Sequence, residues 1–139
     1  MKRIVFYGVG TVVTAVLIAM LIPVQNGYKP TLQMRCHVEL SDLAFALKSY
    51  HDKFDVYPAE DNSNIVRALA GDNPQKIVFL NFRRTTEHPN EIVDSWGTPY
   101  RITFLEQTNF ALRSAGKNKI FGDADDIIFN SISNGFVKP

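Results

Sequence analysis

VDSWGTPYRITFLEQTNFALRSAGKNKIFGDADDII, residues 93–128, decides the fold. Tyr100, Ile102 and Phe104 alternate with Arg101 and Thr103, which is the period of a half-buried strand. Phe110 and Leu112 repeat that alternation across Asn109–Ala115, and Glu106–Thr108 is the expected turn of the hairpin. Trp96-Gly97 and Pro99 make a turn ahead of it. Ile127–Ile132 offers a further strand, so the acidic loop before it is expected as a connection within one antiparallel sheet.

A second periodicity supplies the layer that covers this sheet. Cys36, Leu40, Leu43, Leu47, Tyr50 and Phe54 recur at spacings of three and four, with Asp42, Lys48, Asp52 and Lys53 elsewhere, so the spacing predicts an amphipathic helix. In a chain of 139 residues only a sheet can bury that stripe, which gives an α+β domain with one long helix on a small antiparallel sheet. Tyr57-Pro58 is expected to stop the helix, because the residue before proline avoids helical geometry. Asn62 or Ser63 is expected to cap a short second helix that runs through Leu69 and closes at Gly71. Ile77–Phe82 reads as a brief strand or extended edge, and residues 83–92 as a polar loop.

The acidic loop carries the chemistry. Asp123, Asp125 and Asp126 place three carboxylates within four residues, and charges so close repel unless a cation or a set of donors satisfies them. Asn118 can add a carbonyl oxygen and Ser114 a hydroxyl, while Gly116 and Gly122 bracket the segment where the backbone must fold back. Hard oxygen ligands of this kind suit calcium over any transition metal. The spacing is not that of an EF-hand. A solvated acidic turn partly neutralised by Lys117 and Lys119 is the alternative reading.

DSWGTPYR followed by SAGKNKIFGDADDI resembles the carboxyl-terminal signature of the type II secretion system major pseudopilin (G-type) family, pilin-like proteins that typically show D-P-W-G-x-P-Y and then S-x-G-x-D-G-x-x-G-T-x-x-D-I. The likeness is close over residues 93–128 and loose over the helix before them. It implies a pilin-like fold in which a transmembrane and an amphipathic segment form one long amino-terminal helix. It also implies a calcium loop at the second motif, with Asn118 where Asp is usual and Asp125 and Asp126 in liganding positions. Asp123 stands where the family has Thr. The expected metal set is thus Ser114, Asn118, Asp123, Asp125 and Asp126.

Ile4–Val24 holds 21 uncharged residues. As a helix such a run spans about 31 Å, enough to cross a bilayer core, so a single-pass transmembrane helix is expected. A cleaved signal peptide would have a shorter apolar region and a small-residue site after it, which IPVQNGYKP lacks. Residues 1–3 are then a cytoplasmic stub, and 25–139 an extracytoplasmic domain, periplasmic for a bacterial inner-membrane protein. Lys2 and Arg3 balance Lys29 and Arg35, so the orientation rests on the resemblance. Pseudopilins normally carry a Gly-ending leader and a Glu at the fifth position after it. Here Val13 follows Gly8 and Ala15 follows Gly10 at that spacing.

Without Lys2 and Arg3 the chain has 13 basic and 14 acidic residues, so no basic face points to nucleic acid. The lone Cys36 excludes an internal disulfide, which leaves a bound cation as the natural fastening for a small exported domain. Cys36 itself reads as a small apolar residue of the helix stripe and Trp96 as a core plug. His37, His51 and His88 make no metal spacing. Ser114 lies in SAG, not in the G-x-S-x-G elbow of a hydrolase, and the aspartates have no His or Lys partner of catalytic spacing, so the expectation is a protein that is not an enzyme. Two functions fit: a structural pseudopilin-like component of a secretion or pilus-type apparatus, touching other subunits and the membrane, or a stand-alone membrane-anchored binding module that does not assemble.

Overall fold

The computed structural model describes residues 29–59, 61–81, 88–105 and 108–139. The expected transmembrane run Ile4–Val24, the tip of the first hairpin turn and part of the polar loop after Leu80 lie outside the described residues. Among the described residues no helix is long and apolar enough to cross a membrane.

Helix α1 spans Leu32–Phe54. Thr31 caps its start, the hydroxyl accepting the Met34 amide at 3.2 Å. Cys36, Leu40, Leu43, Ala44, Ala46, Leu47 and Tyr50 are its buried residues, so the stripe read from the sequence is the core face, with Phe54 packed at its margin. The stop differs from the expectation. Asp55 takes the left-handed conformation (φ 57°) and returns its amide to the His51 carbonyl, ending the helix before Tyr57-Pro58 is reached.

Helix α2 is Asn62–Leu69, and its cap is Asp61, ahead of both expected caps, Asn62 and Ser63. The Asp61 carboxylate accepts the Asn64 amide at 3.1 Å. Asn62, relieved of capping, ties two distant segments together. Its amide nitrogen donates to the Tyr100 carbonyl (3.0 Å) and its oxygen accepts the Ile92 amide (2.9 Å). Residues 77–81 form no strand. Phe79 and Leu80 direct their amides to the Leu69 carbonyl instead, and Phe79 packs on Tyr50.

The sheet has four antiparallel strands in sequence order: β1 Arg101–Leu105, β2 Asn109–Ser114, β3 Ile127–Asn130 and β4 Gly135–Val137. Register pairs Ile102 with Leu112, Leu112 with Phe129, and Phe129 with Phe136. Phe110, Leu112 and Phe129 are buried in the core cluster with α1, while Arg113 lies on the other face of β2. Tyr57 stacks on Phe104 at 4.8 Å and donates its hydroxyl to the Thr108 carbonyl, closing the end of the sheet remote from the acidic loop. β3 stops at Asn130, two residues before the expected Ile132, because the chain turns there into β4. The α+β class and the helix-on-sheet layering therefore hold, and β4 is an addition to them.

Candidate metal centre

Two turns meet at one end of the sheet. In the first, the Asp94 carboxylate is 4% exposed and accepts three hydrogen bonds: Oδ1 from the amides of Trp96 (3.0 Å) and Thr98 (2.8 Å), Oδ2 from the Ser114 hydroxyl (2.6 Å). A carboxylate surrounded by donors in this way folds the short turn back on itself, and Val93 bridges Pro99 across it. Glu39 of α1 reaches the same turn, accepting from Ser95 Oγ (3.0 Å) and the Tyr100 hydroxyl (3.1 Å), with Arg35 at 3.7 Å from its other oxygen.

The second turn is the acidic loop that links β2 to β3. Gly116 stands at φ 66°, and a Cβ there would collide with the Asp125 backbone carbonyl and stand 2.7 Å from its carboxylate. Only glycine permits this approach. Lys119 is also left-handed, at φ 63°. The Asn118 amide donates to Asp125 Oδ2 (2.9 Å), the Asn118 side-chain nitrogen to Asp123 Oδ2 (2.6 Å), and the Asp125 amide to Asp123 Oδ1 (2.9 Å). Asn118 Oδ1 takes the Ile120 amide.

Asp126 sits at the base of the loop, 5% exposed. Its Oδ2 accepts the Gly122 amide at 2.8 Å and lies 3.5 Å from Arg113. Its Oδ1 is buried and has no hydrogen-bond partner, a condition it shares among the described side chains with the Thr98 hydroxyl. A buried carboxylate oxygen without a donor or cation is costly, whereas a neutral hydroxyl in the same state costs far less.

Of the five expected ligands, Asn118, Asp123 and Asp125 share one hydrogen-bonded loop and Asp126 borders it. Ser114 is placed elsewhere. It is fully buried, donates to Asp94 and accepts the Gly116 amide at 3.0 Å, so it couples the two turns. Among the described residues no three His, Cys, Asp or Glu side chains are gathered as metal ligands. In the donor set the oxygens are all hard, and the orphaned Asp126 Oδ1 is the atom that a hard cation such as calcium would satisfy. The residue that sequence reading passed over is Asp94. Its signal was present, an Asp two and four residues before amides in a Gly-Pro turn, the spacing of a side chain that caps its own backbone.

Cys36 is buried beside Tyr100, Sγ to hydroxyl 3.6 Å. Burial, ahead of all else, raises the thiol above its ordinary value, and burial with the neighbouring Cys36 and Glu39 raises the Tyr100 phenol strongly. Both stay neutral, as befits core residues and not nucleophiles. Trp96 is half-buried against the core. His88 pairs with Glu91 at 2.6 Å, and His37 and His51 pack on Phe136 and Tyr57. No family model, no curated protein and no solved structure matches the chain.

Proposed function

We propose that the chain is a membrane-anchored, pseudopilin-like structural component of a type II secretion or pilus-type apparatus, with calcium as a structural ion in the loop from Gly116 to Asp126 and no catalytic role. The observation that carries the calcium reading is the buried, unpartnered Asp126 Oδ1 beside a loop already rich in carboxylates. Asp125, Asp126, Asp123 and the Asn118 oxygen would hold the ion, with backbone carbonyls completing a shell of about 6 to 8 oxygens. Binding would release the Asn118–Asp123 hydrogen bond. The secretion reading rests on the DSWGTPYR and SAGKNKIFGDADDI pair, whose two halves meet through Ser114 and Asp94.

The missing Glu after Gly8 or Gly10 favours a second reading, a stand-alone anchored binding module with the same domain. Thermal unfolding of the full chain with calcium and with chelator tests the site. An ion that binds only the folded state adds about 2.7 kcal/mol at a hundredfold excess over Kd. Asp125→Ala with Asp126→Ala should abolish the difference, and magnesium should substitute poorly because it demands a tighter octahedral shell. Calorimetry without binding at millimolar calcium leaves only the acidic turn balanced by Lys117 and Lys119.

A further inference from the structure

Helix α1 carries a second stripe, on the face opposite its core stripe. Met34, Val38, Ser41, Phe45, Lys48 and Asp52 recur at alternating spacings of four and three, the seam of a two-helix coiled coil. The part of it nearer the start of the helix is apolar and bare: Met34, Val38 and Phe45 are 45%, 59% and 73% exposed. Ser41 interrupts the run at little cost, because its hydroxyl already donates to the His37 carbonyl at 2.9 Å. Phe136 of β4, itself partly exposed, packs on His37 at 4.5 Å and widens the strip on that flank. Exposed apolar side chains scattered singly are ordinary, whereas a row of them at seam spacing on one helix marks a surface that meets a partner.

Charge decides what that partner is. A parallel pair of α1 helices in register would set Lys48 against the partner's Lys48 and Asp52 against the partner's Asp52, like on like in the seam. Turning the second helix round removes the conflict. With the helices antiparallel and centred between Glu39 and Leu40, Phe45 faces the partner's Met34 and Val38 faces the partner's Ser41. Lys48 then falls at the end of the contact and Asp52 beyond it. Sliding one heptad further would put Val38 on the partner's Lys48 and Met34 on the partner's Asp52, so the first register is the one the side chains suit. On the flank it brings Arg35 to the partner's Asp42, and the two-fold axis repeats that pair. Both groups are available for it. Arg35 stands 3.7 Å from Glu39 in an exposed pair, and Asp42 makes no hydrogen bond or ion pair among the described residues.

We infer that the outer stripe of α1 docks on the same stripe of a second copy of this chain, antiparallel, as a two-fold dimer. The inference depends on neither the proposed anchor nor the calcium site. The apolar part of the seam is short, about 17 Å from Met34 to Phe45 at the rise of an α-helix, so the pair is weak and reversible.

Sedimentation equilibrium of the full chain in mild detergent tests the dimer, which should form from monomer as concentration rises. Phe45→Ser should raise the dissociation constant at least tenfold, yet leave the melting temperature unchanged at a dilution where the parent chain is monomeric. Arg35→Asp should weaken the dimer as well, and adding Asp42→Arg to the same chain should restore it. Residues seven apart on one helix do not touch, so that rescue reports a contact between chains. Orientation is read by oxidation: chains carrying Met34→Cys mixed with chains carrying Phe45→Cys should form a disulfide-linked mixed dimer, and neither variant should link to itself. Cys36 is fully buried and stays out of the reaction. A chain that is monomeric at every concentration overturns the dimer, whether the stripe then meets detergent or the chain's own amino-terminal segment. A dimer indifferent to Phe45→Ser, or Met34→Cys chains that link to one another alone, overturns the antiparallel contact.

Discussion

The Ser114 hydroxyl donates a 2.6 Å hydrogen bond to Asp94 Oδ2, twenty residues back in the chain, with both side chains buried. This contact joins the turn before β1 to the loop after β2, and it does so beneath the candidate metal centre. Asp94→Ala should therefore leave the Trp96 and Thr98 amides and the Ser114 hydroxyl without an acceptor. Hydrogen bonds to a charged group are worth about 1.5 to 3 kcal/mol each in such settings, so a loss of about 3 kcal/mol in unfolding free energy is expected by urea titration. Ser114→Ala should cost about 1 to 2 kcal/mol.

Leu43→Ala and Leu47→Ala remove side chains buried at the centre of the α1–sheet contact. Each should cost about 2 to 5 kcal/mol. If neither lowers the unfolding midpoint, the stripe is an interaction surface and not a core.

Gly116→Ala places a methyl group on the Asp125 carbonyl and forces an L side chain to φ 66°. The loop must open, and about 1 to 3 kcal/mol of destabilisation is expected, with any calcium response lost as well. Gly97, where a Cβ would meet nothing within 4 Å, is the control: Gly97→Ala should cost less, since only its φ of 86° resists.

Alkaline pH should unfold the protein through Cys36 and Tyr100. Both are raised by burial above ordinary values of 9.0 and 10.0, so the unfolded chain gives up these protons first. The unfolded state then binds fewer protons than the folded one, and stability falls as pH rises. Melting temperature should be insensitive to these groups below about pH 9 and decline above it, and Cys36→Ala with Tyr100→Phe should flatten that decline.

Much of this architecture is legible in the sequence because periodicity survives burial. The α1 stripe and the Tyr100–Phe104 and Phe110–Leu112 alternations name much of the α1–sheet core, although Phe54, Ile102 and Phe104 are only partly buried and Ala44, Ala46, Ile65, Leu69 and Ile92 fall outside those patterns. Local hydrogen bonding is harder to read. Asp61 outcompetes Asn62 as a cap because Asn62 has two partners, Tyr100 and Ile92, that are distant in sequence. Residues 77–81 look like a strand by composition, yet Asn73 and Leu69 absorb their polar groups and leave no ladder to join. β4 was signalled by Asn134-Gly135, a pair suited to a left-handed turn, and Asn134 does stand at φ 50°. At the candidate metal centre the acidic residues were visible as a group, whereas the different placing of Ser114 and Asp126 depends on burial that spacing does not encode.

The order β1-β2-β3-β4 has a consequence for how the chain reaches this state. Every strand pairs only with its neighbours in sequence, so the sheet closes short loops and can form early at small entropic cost. The helix meets the sheet only at long range: Cys36 meets Tyr100 across 64 residues, and Lys48 meets Asn134 across 86. A chain that forms this meander before α1 docks leaves the apolar side of the sheet uncovered, and in that interval it is exposed to aggregation.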